Sequence, residues 1–187
     1  MSILILDGFP AESSSKLQAL LLEAEAAPEV EYISLAKTEI RHCQGCFSCW
    51  LITPGECVIQ DAGNDIARKY INSDAVILLT PVTFGGYSSV LKKALDRMIP
   101  NICGLFTQYQ GETHHVRRYS RYPALVFLGV QDIVDQEAAD IFHELAYRNS
   151  LNLYPTTMAS YVFNEATETE QLRADLRAIL AQAGVRV

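Results

Sequence analysis

Short, continuously apolar runs alternate along this chain with longer segments in which apolar residues recur at helical spacing. Residues 2–6 are apolar almost throughout, as expected for a strand whose two faces are both buried. Residues 17–24 instead place their apolar side chains on one face of a helix. These two patterns predict strands at 2–6, 29–35, 74–80 and 122–130 and in the second half of 151–163, and helices after Ser15 and at 61–72, 88–98, 134–149 and 167–183.

The order of these elements is a strand followed by a helix, repeated along the chain. Because doubly buried strands alternate with amphipathic helices, the order predicts an α/β fold with a parallel sheet covered on both faces. Ligands bind such sheets at the carboxyl ends of the strands, at the switch point between the first and third strands. The candidate ligand loops are therefore 7–15, 80–88 and 129–133. Residues 100–122 show no clean period and are interpreted as a long loop or insertion.

Composition narrows the class of protein. The length suits one domain and no linker or internal repeat is visible, so residues 1–187 are predicted to form a single domain. The hydrophobic fraction of 49% excludes a disordered chain. The net charge of -7 gives no reason to bind nucleic acid or an anionic membrane, and no apolar run reaches the ~20 residues of a membrane helix. Residues 1–6 lack the features of a signal peptide, so a cytoplasmic location is expected.

The first two loops carry groups suited to a phosphate and a planar ring. Gly8 to Lys16 leads into a helix N-terminus, where free N–H groups, the hydroxyls of Ser13, Ser14 and Ser15, and Lys16 favour an anion. A serine cap on a solvated turn is the alternative. The loop 80–88 combines paired glycines, which let a ligand approach the backbone, with aromatic side chains. A glycine-rich turn before a helix is the alternative there.

The run 81–97, Pro-Val-Thr-Phe-Gly-Gly-Tyr-Ser-Ser-Val-Leu-Lys-Lys-Ala-Leu-Asp-Arg, resembles the second flavin loop and following helix of the NADPH-dependent FMN reductases. Residues 8–16 correspond to the loop that wraps the FMN phosphate in that family, and 129–131 stand where its third flavin loop lies. The sequence departs from the family at Phe9, Ala11 and Lys16, where Ser, Arg and a hydroxyl residue are usual, and at Thr83, where an aromatic residue is usual. The resemblance implies FMN-binding roles for Gly8, Phe9, Ser13, Ser14, Ser15, Lys16, Pro81, Val82, Thr83, Phe84, Gly85, Gly86 and Gly129.

The same resemblance carries expectations about fold and activity. It implies a flavodoxin-like three-layer sandwich with a five-stranded parallel sheet in the order 2-1-3-4-5. It also implies an FMN-dependent oxidoreductase that takes electrons from NAD(P)H and passes them to a flavin, a quinone or another small-molecule redox substrate. No side chain is expected to act as an essential catalytic acid or base, because the flavin supplies the chemistry. Relatives often form a homodimer or homotetramer, so an oligomer is expected.

Four of the five cysteines fall in one short segment. Cys43, Cys46, Cys49 and Cys57 have the spacing C-x₂-C-x₂-C-x₇-C, which can wrap a 4Fe-4S cluster. The spacing resembles that of the iron-sulfur flavoproteins, which implies a ferredoxin-linked electron carrier. Relatives without a cluster share the Pro-Gly-x-Cys form seen at 54–57, so free thiols or reversible disulfides remain open, and zinc is a further alternative. A flavodoxin-like redox sensor that lacks FMN is the third hypothesis.

Overall fold

Five parallel strands form the central sheet of the computed structural model, which describes residues 1–185. The sheet order is β2-β1-β3-β6-β7, which matches the predicted 2-1-3-4-5 order once a separate two-stranded hairpin is left out of the count. All neighbouring pairs in the sheet run parallel. The strands are β1 (Ile3–Asp7), β2 (Val30–Ser34), β3 (Ala75–Pro81), β6 (Ala124–Gln131) and β7 (Met158–Asn164), and the hairpin consists of β4 (Ile102–Tyr109) and β5 (Glu112–Arg117).

Helices cover both faces of this sheet, as the α/β pattern predicts. The helices are α1 (Lys16–Glu23), α2 (Ser48–Leu51), α3 (Ala62–Asn72), α4 (Ser89–Asp96), α5 (Gln136–Leu153) and α6 (Thr169–Gln182). Apolar residues of α1 and α6 pack on one face, and those of α3, α4 and α5 pack on the other. Each fully buried Leu or Phe in these layers stabilises the fold by roughly 1.5–3 kcal/mol. Within residues 1–185, the helices fall short of the length and apolar character that crossing a bilayer requires.

The helix starts follow from polar side chains that cap them. The Ser15 hydroxyl accepts a hydrogen bond from Gln18 N, and the side-chain oxygen of Gln18 accepts one from Ser15 N, which forms a capping box at the start of α1. Asp61, Ser88 and Asp135 cap α3, α4 and α5 through a side-chain oxygen that accepts from a backbone N–H of the first turn. The predicted helices are therefore found close to their expected bounds, although α5 continues to Leu153 instead of ending at 149.

Residues 100–122 were interpreted as a long loop or insertion, and the loop reading is wrong, because β4 and β5 form an antiparallel hairpin there, outside the five-stranded sheet. Its turn is made by Gln110 and Gly111, which both have positive φ. The hairpin docks on α5, where Arg148 donates two hydrogen bonds of 2.7 Å to the Glu112 carboxylate. A register shift between Ile102 and Phe106 interrupts the alternation of side chains, so no strand period was visible in the sequence.

Candidate functional site

Loops at the carboxyl ends of the sheet are joined to one another by hydrogen bonds. Gly8 N donates to Leu79 O at 2.8 Å, which fixes the loop after β1 against β3. Ser88 then ties the loop after β3 to both neighbours, since its N–H donates to Thr80 Oγ1 at 2.9 Å and its hydroxyl donates to Gly8 O at 2.5 Å. The loops predicted to bind a ligand therefore form one connected rim at the switch point between β1 and β3.

The loop after β1 is closed at the N-terminus of α1 by a carboxylate from the loop after β7. Lys16 N donates to Glu165 Oε1 at 2.8 Å, and Lys16 Nζ donates to Thr167 O at 3.0 Å. A negative group therefore already lies at the positive end of this helix. Ser13 and Ser14 remain exposed beside it, whereas Ser15 is buried as the cap.

Phe9 belongs to the core. Its side chain is only 4% exposed and packs in the cluster between the sheet and the α1–α6 layer. Its N–H donates to Asp7 Oδ1 at 3.0 Å. Phe9 thus lies where the family usually has a polar residue, and its ring packs into the core at the edge of the cleft without offering a hydrogen-bond donor to a ligand.

The loop after β3 makes a tight turn that presents an aromatic ring to solvent. Thr83 and Gly86 exchange backbone hydrogen bonds of 2.9 and 2.8 Å, with Phe84 and Gly85 between them at φ values of 49° and 75°. The side chain of Phe84 is 99% exposed. A bulky residue at positive φ costs about 1–3 kcal/mol, and such strain is concentrated at functional sites. A side chain at Gly85 would approach Ile141 Cγ2 to 2.6 Å, so this position requires glycine.

The residues next to this turn are less accessible to a ligand than Phe84 is. Pro81 is the last residue of β3, and Val82 is half-buried with its N–H donating to Val130 O at 2.8 Å. Gly129 lies inside β6, not in a loop, where a Cβ would approach Val82 Cγ2 to 2.7 Å. Packing against Val82 therefore accounts for glycine at this position.

The loop after β6 supplies exposed apolar residues that the sequence analysis missed. Gln131 and Asp135 exchange hydrogen bonds between the Gln131 amide and the Asp135 backbone at 3.0 and 3.2 Å, which shape the loop. Ile133 and Val134 are 84% and 71% exposed at its tip. The sequence could have indicated them, because this apolar pair lies between the end of a predicted strand and the aspartate that caps α5.

The loop after β1 offers groups suited to the phosphate of FMN, and the loop after β3 offers a surface suited to its ring. A cleft of about 460 Å³ next to the loop after β1 is lined by serine hydroxyls together with Tyr32 and Lys37. Within residues 1–185 the N–H groups of Ala11, Glu12 and Ser14 make no hydrogen bond. These groups match a phosphate, and the exposed ring of Phe84 matches a planar isoalloxazine. Two carboxylates oppose a phosphate there: Asp7, which also lines the cleft, and Glu165 at the start of α1.

The cysteine loop, residues 43–57, is anchored by the single tryptophan. Trp50 Nε1 donates to Ile99 O at 3.1 Å. Its ring stacks on Phe47 with centroids 5.2 Å apart and lies against His115 of the hairpin at 4.7 Å. Gly104 makes room for it, because a Cβ there would lie 2.9 Å from Trp50 Cε3. The cysteine loop therefore packs against the hairpin through Trp50.

The four predicted cluster thiols differ in exposure and charge environment. Cys49 is buried and Cys46 is exposed, with Cys43 and Cys57 half-buried. Burial raises the pKa of the Cys49 thiol, and negative charge on Cys57, Cys43 and Cys46 raises it further. The pKa of the Cys46 thiol is lowered because the side chain and backbone of Ser48 hydrogen bond to it.

In the part of the chain that the structure describes, no three His, Cys, Asp or Glu side chains are close enough to hold one metal ion. Cysteine thiolates are the usual ligands of a 4Fe-4S cluster and are also ligands of structural zinc, so the donor chemistry suits either group.

Relatives named iron-sulfur flavoproteins match part of this chain. One from Methanocaldococcus jannaschii is 42% identical over 83 residues, which cover 44% of this chain and 42% of that protein. One from Archaeoglobus fulgidus is 37% identical over 89 residues, which cover 47% of this chain and 40% of that protein. The matched region thus spans less than half of the length of these relatives.

Solved structures share the fold over nearly the whole chain. An FMN-dependent NADH-azoreductase of Bacillus anthracis, in complex with FMN, aligns with 98% of this chain and 98% of its own at a TM-score of 0.66 and 14% identity. An NAD(P)H:quinone oxidoreductase from Methanothermobacter marburgensis aligns with 98% of this chain and 95% of its own at a TM-score of 0.65 and 13% identity. These likenesses confirm the flavodoxin-like fold that the sequence predicted.

The sequence of residues 1–117 matches the family described as NADPH-dependent FMN reductase. This region contains the loops after β1 and β3, the cysteine loop and the hairpin. Because the match covers more than half of the chain, this protein belongs to the NADPH-dependent FMN reductase family.

Proposed function

We propose that this protein is an FMN-dependent oxidoreductase that takes electrons from NAD(P)H and reduces a small-molecule acceptor such as a flavin or a quinone. The observation that carries the proposal is the turn 83–86, which displays the ring of Phe84 at the carboxyl edge of the sheet despite its backbone strain. Family membership over residues 1–117 supports FMN as the cofactor and a reduced nicotinamide as the donor.

The proposed cofactor site divides into a phosphate end and a ring end. Ser13, Ser14 and Lys16, with the free N–H groups of the loop after β1, would hold the phosphate by charge-assisted hydrogen bonds. Phe84 would stack on the isoalloxazine, while the Gly85–Gly86 backbone approaches its edge. Bound FMN supplies two-electron chemistry with a nicotinamide and one- or two-electron chemistry with an acceptor. The chain's own part is then to bind, orient and shield the ring.

We also propose that the protein works in the cytoplasm as a homodimer or homotetramer. Large apolar side chains lie exposed beside the ring end, including Phe84 at 99% and Ile133 at 84%. A second copy that covers them would also exclude water from the site. Light scattering of the FMN-loaded protein at several concentrations tests this, and a monomer at all concentrations would contradict it.

The decisive experiment is an anaerobic purification followed by an absorption spectrum, iron analysis and titration with FMN. A yellow, iron-free protein that oxidises NAD(P)H supports the proposed function. The variant Phe84→Ala should lose most of its FMN affinity, whereas Phe106→Ala, which removes an exposed ring on the hairpin, should keep it. A protein that stays colourless with added FMN would contradict the proposal and favour a thiol-based redox sensor.

A second candidate function is that of an iron-sulfur flavoprotein that carries electrons from ferredoxin. It is favoured by the spacing C-x₂-C-x₂-C-x₇-C, which places Cys43, Cys46, Cys49 and Cys57 in one loop that Trp50 anchors. The names of the matched relatives support it. A bound 4Fe-4S cluster would supply single-electron transfer. About four irons per chain, lost in the variant Cys49→Ser, are expected if this function is correct.

A further inference from the structure

Arg97 follows α4 and is one of the most deeply buried charged residues of the described chain. Its side chain is 1% exposed. A buried guanidinium is costly unless it is paired and hydrogen bonded. Asp61 supplies the pair, with Nη1 to Oδ2 and Nη2 to Oδ1 distances that are both 2.9 Å. This bidentate geometry is the strong and directional form of an arginine–carboxylate contact.

The same guanidinium also reaches two backbone carbonyls that flank the cysteine loop. Nη1 donates to Arg41 O at 2.9 Å, and Nη2 donates to Ile59 O at 3.1 Å. Arg41 stands two residues before Cys43, and Ile59 stands two residues after Cys57. The Arg97 side chain therefore joins the backbone segment just before the cysteine loop to the segment just after it.

Asp61 and Gly63 complete this clamp. Asp61 accepts from Arg41 N at 2.9 Å and from Gly63 N at 2.8 Å, so its carboxylate holds the entering arm as well as the guanidinium. The guanidinium packs flat on Gly63, where a Cβ would lie 2.9 Å from Arg97 Cζ. Arg97, Asp61 and Gly63 together fix the distance between the two ends of the loop.

The guanidinium of Arg97 stays charged in this buried position. Burial lowers the pKa of Arg97, but the contact with the Asp61 carboxylate outweighs it, and the net pKa is raised. Its Nε is buried without a hydrogen-bond partner among residues 1–185. Because Nη1 and Nη2 donate to the Arg41 and Ile59 carbonyls, a fixed cation lies against both ends of the cysteine loop.

We propose that Arg97 is the positioning residue of the four-thiol site: by clamping both ends of the cysteine loop, it brings Cys57 to the C-x₂-C-x₂-C segment. The proposal deepens the second candidate function and rests on it only for the identity of the bound group, a 4Fe-4S cluster. Lysine at position 97 would keep the positive charge but could not contact the carboxylate and both carbonyls together.

The first test compares Arg97→Lys with the wild-type protein after anaerobic reconstitution with iron and sulfide. Iron should leave the variant about 10–100-fold faster in the presence of a chelator, as is usual when a residue that orients metal ligands is lost. The electron paramagnetic resonance spectrum of the reduced cluster should also change. Identical iron loss and an identical spectrum would overturn the proposal.

A control is Arg173→Lys, which alters an arginine–carboxylate contact with Glu23 between α6 and α1 and touches neither the cysteine loop nor the hairpin. Iron retention should be unchanged in this control. Where Arg97→Lys folds poorly, Asp61→Asn provides the second variant, since it keeps the shape of the clamp and removes the charge. Circular dichroism checks folding, and FMN titration shows that the flavin loops are intact.

A second measurement does not depend on the cluster. Phenylarsine oxide bridges two nearby thiols, forming two As–S bonds and releasing water, and peptide mapping identifies the bridged pair. In the wild type, Cys57 should be bridged to a cysteine of 43–49, and in Arg97→Lys bridging should remain within 43–49. Equal bridging of Cys57 in both proteins would overturn the proposal. Failure of the wild type to take up iron while this difference persists would reject the cluster function alone.

Discussion

Two residues at the rim of the sheet, Phe84 and Glu165, are placed in ways that local stability or phosphate binding would disfavour. Phe84 holds a positive φ with its ring in water, although neither feature stabilises the folded protein. Glu165 places a carboxylate at the end of α1 where a ligand phosphate is expected. A bound cofactor that covers the ring would account for Phe84, whereas the Glu165 carboxylate opposes a phosphate, and each residue can be tested by one substitution.

Replacing Phe84 with glycine should stabilise the protein and weaken flavin binding. Glycine adopts the turn without strain, so the free energy of unfolding should rise by about 1 kcal/mol. Loss of the aromatic surface should raise the FMN dissociation constant about tenfold. Urea unfolding and fluorescence titration measure the two effects. A variant that binds FMN as tightly as the wild type would show that the ring does not stack on the cofactor.

Replacing Glu165 with glutamine should strengthen the binding of FMN. The amide keeps a hydrogen bond to Lys16 N but removes the negative charge, and charge at a helix end is worth about 0.3–1 kcal/mol. The FMN dissociation constant should therefore fall a few-fold, while that of riboflavin, which lacks the phosphate, should not change. Glu168→Gln is the control, since Glu168 makes no side-chain hydrogen bond at the start of α6. An equal gain for riboflavin would exclude the electrostatic explanation.

At the scale of elements, the sequence was informative wherever the hydrophobic period was regular. The doubly apolar runs of β1, β3 and β6 and the capped helices were found from their own residues, because local pattern and tertiary burial agree there. The hairpin was missed because a register shift breaks its alternation and because β4 is largely exposed. The only local sign of it was Gly111 in the turn.

The site shows the same division between local and long-range information. The loops after β1 and β3 and the four cysteines were visible because glycine, serine, aromatic and cysteine residues cluster in sequence. The contacts of Glu165 with Lys16 and of Arg97 with Asp61 join residues far apart in the chain. No periodicity or motif could reveal them, since they depend on how the layers pack.

The docking of the cysteine loop on the hairpin can be tested at Gly104. A methyl group in Gly104→Ala would meet the Trp50 ring at 2.9 Å, so the ring must move away from β4. Overpacking of this kind costs about 1–3 kcal/mol of stability. Because the chain has one tryptophan, its fluorescence should shift to the red and become more sensitive to acrylamide quenching.

The control for Gly104→Ala is Gly111→Asn, which lies in open space at positive φ in the hairpin turn and suits asparagine. It should leave the fluorescence of Trp50 unchanged. Unchanged quenching in Gly104→Ala as well would mean that the tryptophan is not held between the loop and the hairpin.

At the scale of the whole molecule, two ion-paired carboxylates, Glu112 and Asp61, bind protons less readily in the folded state than in the unfolded chain. Hydrogen bonds from Arg148 and then His114 lower the pKa of Glu112 to about 2 from 4.5. Burial raises the pKa of Asp61, but hydrogen bonds from Arg97, Arg41 and Gly63 outweigh it and lower the net value. These carboxylates therefore stabilise the fold above their unfolded pKa values, and the stabilisation is lost as pH falls through the folded ones.

The free energy of unfolding should accordingly decrease as the pH is lowered from about 5 toward 2. In the wild type, protonation of Glu112 weakens its contact with Arg148, which holds the hairpin on α5. Glu112→Gln has no carboxylate at this position to protonate, so the decrease in its free energy of unfolding should be shallower. Urea unfolding at pH 7, 4 and 3 measures the profile, with Glu12→Gln, at an exposed loop position, as the control that should follow the wild type. If Glu112→Gln instead showed the full wild-type slope, the acid sensitivity would arise at other carboxylates, of which the buried Asp61 beside Arg97 is the first to examine.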